Sequence, residues 1–134
     1  MKRLTNAIFG TASEINIDKL AKDLDAVLIE GEQITAGFKI VRDLVVFTRC
    51  RIILIDKQGV TGKKTEYQSI PYKSISRFSV ESAGHFDMDS ELKIWISSNE
   101  PPIVREFKKG TDMMAIQRLI ASAIFETELP SLKE

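Results

Sequence analysis

The sequence predicts a mainly β domain, a seven-stranded antiparallel barrel or sandwich with an amphipathic helix at each end. Three observations lead there. Apolar residues near the start recur every three or four positions, the period then drops to two, and several short apolar runs separated by turn residues follow before helical spacing returns. With 134 residues, 43% of them hydrophobic, the chain can bury one core of its own.

In the first element, Ile17, Leu20, Ala21, Leu24, Val27 and Leu28 make one apolar face, which predicts a helix from Asp18 to Ile29 with Asp18 as N-cap and Gly31 as its stop. From Ile34 onward, Ile34, Ala36, Phe38 and Ile40 alternate with their neighbours and mark a first strand. Arg42 and Asp43 then form a tight hairpin into Leu44–Thr48, and Cys50–Asp56 follows with almost no spacer. Beyond the glycine-bearing loop Lys57–Lys64, strands are expected at Thr65–Ile70, Ile75–Val80, Leu92–Ile96 and Ile103–Phe107. Their separators carry turn chemistry: Pro71, then Gly84 with Asp87 and Asp89, then Asn99 to Pro102. Met113, Ile116, Ile120, Ala123 and Ile124 form the stripe of the last helix, widened by Leu119 and capped by Thr111 or Asp112.

Leu44–Phe47 and Ile52–Ile55 are apolar at every position, so both faces of these strands must be covered. The inner face meets the core. Either the chain's own N-terminal helix or another subunit covers the outer one, and Trp95 alternates with Leu92, Ile94 and Ile96 so as to point away from them. The same two runs are the longest apolar stretches, far short of the roughly 20 residues a spanning helix needs. No secretory core follows Met1, Lys2 and Arg3, and a soluble, cytoplasmic protein is expected.

Chemistry is sparse. A single cysteine, Cys50, and a single histidine, His85, give no disulfide, no Cys-based metal cluster and no supported nucleophilic pair. Asp87, Asp89 and Glu91 alternate like the start of a calcium loop but lack its glycine and distal glutamate. Gly62-Lys63-Lys64-Thr65 lacks the upstream glycine of a phosphate loop and precedes a strand. The reading is therefore a protein with no catalytic residue, no cofactor and no metal.

Charge says more. Nineteen basic and nineteen acidic residues cancel overall, which argues against a general polyanion binder such as a nucleic-acid protein. By segment the balance is −2 over 1–33, +6 over 34–80, −4 over 81–106 and zero thereafter. The electropositive strands single out Lys39, Arg42, Arg49, Arg51, Lys63 and Lys64 as contacts for an anion or a partner, while the apolar residues Val45, Phe47, Ile53 and Ile55, with Trp95, are the expected oligomer interface.

Seven strands closed by one C-terminal helix resemble the pleckstrin-homology superfold, a bent antiparallel barrel plugged at one end by that helix. The runs Phe38–Thr48, Arg51–Gly59, Ser69–Ile75, Phe78–Asp87, Glu91–Ile96 and Glu106–Gly110 are similar to those of the bacterial pleckstrin-homology-like (PH-like) domain family. The resemblance implies a PH-like barrel over 34–126, preceded by a helical extension over 1–33 and followed by a tail over 127–134. It also implies a non-enzymatic module that assembles into ring-shaped homo-oligomers, a pentamer being one such ring. Further copies of the chain, or another protein, are the expected partners. The alternative is binding of anionic ligands or phospholipid headgroups at a membrane surface, as in eukaryotic relatives, although a first hairpin reduced to Arg42 and Asp43 is too short to wrap a headgroup.

Overall fold

A computed structural model of the chain describes residues 15–81, 89–97 and 99–130. Helix α1 (Ile17–Asp23) precedes strands β1 (Ile34–Ile40), β2 (Asp43–Thr48), β3 (Arg51–Gln58) and β4 (Lys64–Pro71). A 3-10 turn, Tyr72–Ser74, leads to β5 (Arg77–Glu81), β6 (Ser90–Trp95), β7 (Ile103–Phe107) and helix α2 (Met113–Phe125). His85, Asp87 and the Gly84 turn lie outside the described residues.

The strands form two antiparallel sheets, ordered β1-β2-β3-β4 and β5-β6-β7. Among the described residues they do not close into a barrel, which corrects that expectation. Pro71 ends β4 without an N–H to continue the ladder, and the Tyr72–Ser74 turn carries the chain across to the second sheet. One core fills the space between the sheets and α2, with Phe38, Val45, Phe47, Ile52, Leu54, Leu92, Ile94, Phe107, Ile116 and Ile120 all buried. Phe38 joins the layers through edge-to-face contacts with Phe47 and, across the sheets, with Phe107 at 5.6 Å. Arg105 of β7 also reaches across, donating to Asp56 of β3 at 2.9 Å. The buried Tyr72 hydroxyl donates to the Thr48 carbonyl at 2.8 Å, and burial pushes its pKa upward.

The outer face of the first sheet is covered by the chain itself. Leu20 and Leu24 from the N-terminal segment pack on Ile34, Val46, Ile53 and Ile55, with Val27 and Leu28 alongside. Helix α1 is shorter than its apolar spacing suggests, because after Asp23 the ladder tightens: Asp25 N–H bonds to Lys22 and Val27 N–H to Leu24, three residues back in each case. Turns of this kind keep the three-to-four spacing without extending the helix. Its cap is Asn16, whose side chain accepts from Lys19 N–H at 3.0 Å, and Asp18 sits in the first turn rather than at the cap. At α2 the cap is Asp112, accepting from Ala115 N–H, and Ala123 faces solvent rather than the core.

Gly37 explains how α1 comes so close. It faces outward from β1, and a Cβ there would collide with the Leu20 side chain. Ile15 N–H bonds to the Gly37 carbonyl at 2.9 Å, so the incoming segment is also tied to the edge of β1. The hairpin between β1 and β2 turns on Val41 and Arg42, with Ile40 opposite Asp43, one residue earlier than expected. Val41 adopts φ 54°, the left-handed region that a two-residue hairpin requires and that a β-branched residue resists.

Candidate functional site

The residues expected to contact an anion or partner fall into three separate places. Arg42, in the β1–β2 turn, donates to the Gly59 carbonyl at 2.6 Å and fastens that turn to the β3–β4 loop. Lys63, in the loop, and Lys64, at the start of β4, stand at the same end, and Lys39, opposite Leu44, is exposed near the end of β1. Lys57 joins them, its N–H bonded to the Asp43 carboxylate at 2.8 Å. The tips of the turn and loop present Val41, 78% exposed, and Val60, fully exposed. This end of the first sheet is therefore basic, with two apolar tips.

Arg49 lies elsewhere, in the β2–β3 turn at the opposite end of the sheet, roughly 20 Å away along a six-residue strand. Arg51 is committed to an ion pair. Its Nε donates to Glu32 Oε2 at 2.7 Å and its Nη2 to Glu32 Oε1 at 2.8 Å, a bidentate pairing. The same guanidinium donates to the Val27 carbonyl and to Ser69 Oγ, and so links the N-terminal segment, β3 and β4. The Glu32 side chain is only 1% exposed and also accepts from Ile29 N–H, Thr48 Oγ1 and Cys50 Sγ. With the Arg51 guanidinium beside it, its pKa falls from 4.5 to about 2, while Glu32 raises that of Arg51. A group so engaged is structural, which removes Arg51 from the expected contact set.

Four of the five residues expected at an oligomer interface are enclosed within the chain. Val45 and Phe47 face the inner core, and Ile53 and Ile55 lie beneath α1, all buried within one chain. An apolar run whose two faces are both satisfied leaves nothing for a neighbour. Trp95 is half-exposed, on the opposite face of β6 from Leu92 and Ile94, and the Arg77 guanidinium of β5 lies 4.2 Å from its ring centroid.

What remains open are strand edges. Among the described residues β4 pairs only with β3, and β7 only with β6. Strand β4 has eight residues, and six of them, including Glu66, Tyr67, Gln68 and Ser69, are exposed. Two further residues, Glu32 and Gly37, hold the N-terminal segment in place. Glu32 looked like any solvated acid and carries no local signal of its partner nineteen residues on, whereas Gly37 had one, since an isolated glycine within a strand marks close approach.

Among the described residues no three His, Cys, Asp or Glu side chains gather to hold a metal, and no helix is long and apolar enough to cross a membrane. Two antiparallel sheets over a shared core, with a C-terminal helix packed against it, define a pleckstrin-homology-like module. The chain belongs to the bacterial PH domain family, whose model matches residues 3–124. It is 57% identical over 118 residues to the uncharacterized protein YjqA of Bacillus subtilis (strain 168), covering 87% of this chain and 94% of that one. Two crystal structures are similar, each at 54% identity. One is a DUF1696 family protein with a pleckstrin-homology domain from Shewanella loihica PV-4, with TM-score 0.75, covering 84% of this chain and 97% of the other. The second is a pleckstrin homology domain from Shewanella amazonensis SB2B, with TM-score 0.71, covering 90% and 97%.

Proposed function

We propose that the chain is a non-enzymatic interaction module that assembles with copies of itself into a closed ring. The observation that carries the reading is that, among the described residues, the two sheets do not close, which leaves β4 as one edge of the first sheet, opposite β1, and β7 as one edge of the second, opposite β5. Unpaired edges are templates for strand addition, and monomeric proteins blunt them. Here the two edges are different surfaces, so β4 of one copy meets the second sheet of the next in a head-to-tail contact, which generates a ring when the rotation closes. Charge favours that order. The segment bearing the first sheet carries a surplus of six positive charges, and the segment from Glu81 to Glu106 a surplus of four negative ones. Apolar burial between subunits plays no part at Val45, Phe47, Ile53 or Ile55.

The test places like charges along the edge. Tyr67→Glu with Gln68→Glu lies on exposed positions of β4 and faces the acidic segment of the neighbouring copy, so the double variant should keep the wild-type circular dichroism spectrum while losing the assembly in sedimentation velocity. Retention of the full assembly would exclude β4 as its edge.

A second reading is favoured by the basic end, where Lys39, Arg42, Lys57, Lys63 and Lys64 surround the exposed Val41 and Val60. Basic side chains around apolar tips suit an anionic surface. The two-residue turn offers no pocket for a headgroup, so the contact would be with a surface. Co-sedimentation with phosphatidylserine vesicles, lost on reversing Lys63 and Lys64 to Glu, would support it, and no salt-sensitive binding by the wild type would end it.

A further inference from the structure

Helix α2 buries Met113, Ala115, Ile116 and Ile120 against the core, and its opposite face exposes two large apolar side chains. On that face Met114 is 50% exposed and Phe125 46%, and Leu129, past the 3-10 turn Glu126–Glu128 that follows the helix, is 67% exposed. Met114, Arg118, Ala121 and Phe125 follow one another at steps of four, three and four, the spacing of a seam that packs against another helix. A shallow groove of about 210 Å³ runs beside Arg118, Ala121, Ser122, Phe125, Glu126 and Leu129.

The face is complementary to itself. Arg118 and Glu126 stand eight residues apart with the small Ala121 and Ser122 midway between them, and among the described residues neither charge is in an ion pair. Placing a twofold axis beside Ala121 and Ser122 lays a second copy of the helix antiparallel to the first. Arg118 of each copy then falls beside Phe125 and Glu126 of the other, where guanidinium, ring and carboxylate suit one another. Met114 falls toward the C-terminal end of the other helix, and the small central residues let the backbones approach.

We infer that the outer face of α2 is a twofold docking surface for the same helix of a second copy of this chain. The contact is isologous, whereas the strand-edge contact is head-to-tail. It uses no residue of β4 or β7, so either can fail alone, and if both form, the twofold contact joins one ring to another.

The experiment is a cysteine cross-link across the axis, in full-length chain with Cys50→Ser to remove the native thiol. Ser122→Cys should give a disulfide-linked pair under mild oxidation at micromolar concentration. Lys109→Cys, in the loop before the helix, serves as the collision control and should give little. Adding Arg118→Glu sets like charges against each other and should lower the Ser122→Cys yield about tenfold. Arg118→Glu together with Glu126→Arg restores opposite charges and should recover it. Circular dichroism confirms that each variant is folded. A Ser122→Cys yield no higher than the control, a yield indifferent to Arg118→Glu, or a failure of the charge swap to recover it would each overturn the inference. None of these readouts depends on the ring, since the Tyr67→Glu, Gln68→Glu background should cross-link equally well.

Discussion

Replacing Arg51 by Ala would leave the Glu32 carboxylate, 1% exposed, facing a void where a bidentate partner stood. The cost follows from the protonation equilibrium. A carboxyl held at about 2 in the folded chain, against 4.5 ordinarily, favours folding by about 3 kcal/mol once the solution is above pH 4.5. Breaking a buried pair from one side costs about 3 to 5 kcal/mol by general experience, and the loss of Arg51's bonds to Val27 and Ser69 places this variant within that range. The sign with pH is fixed. On acidification the unfolded chain takes up its proton first, near pH 4.5, so the stabilisation is intact above that value and disappears as pH falls toward 2. Urea denaturation of wild type, Arg51→Ala, Glu32→Gln and the double variant at pH 7 and at pH 3 measures all of this. At pH 7 the two single variants should each lose several kcal/mol and the double variant clearly less than their sum. Glu32→Gln should also show a shallower loss of stability between pH 4.5 and pH 2 than wild type. An Arg51→Ala cost under about 1 kcal/mol at pH 7, or an unchanged acid slope in Glu32→Gln, would refute the reasoning.

Gly37→Ala should push Leu20 off the sheet and destabilise the chain by about 1 to 2 kcal/mol, with faster hydrogen exchange confined first to α1. Adding Leu20→Ala to it should cost less than Leu20→Ala alone, and simple additivity would contradict the close contact. Val41→Gly relieves a left-handed β-branched residue but loosens the unfolded chain, so its unfolding free energy from urea denaturation should stay level or rise by up to about 1 kcal/mol. A clear loss there would mean that Val41 makes a contact the hairpin needs.

Periodicity was a good guide wherever a segment had one wet and one dry face. Strand β7 lies at Ile103–Phe107 as its pattern indicates, and α2 follows its apolar stripe. The doubly apolar runs of β2 and β3 correctly announced two covers, and the structure supplies the outer one from the chain's own Leu20 and Leu24. What local pattern could not show was pairing at a distance. The open seam between β4 and β5, the commitment of Arg51 to Glu32 and the separation of Arg49 from Lys63 all depend on which residues meet in space. Charge counted by segment drew attention to the first sheet, yet counting could not tell a free guanidinium from a paired one. For the same reason Val45 and Phe47 looked available from composition and are enclosed in the fold.

Self-assembly through open strand edges is the claim on which the functional reading rests, and the mass of the particle in solution tests it most directly. Light scattering coupled to size exclusion, on wild-type chain at micromolar concentration, should give one species whose mass is an integer multiple of the chain's and greater than a dimer. A monodisperse monomer across that range would contradict the account.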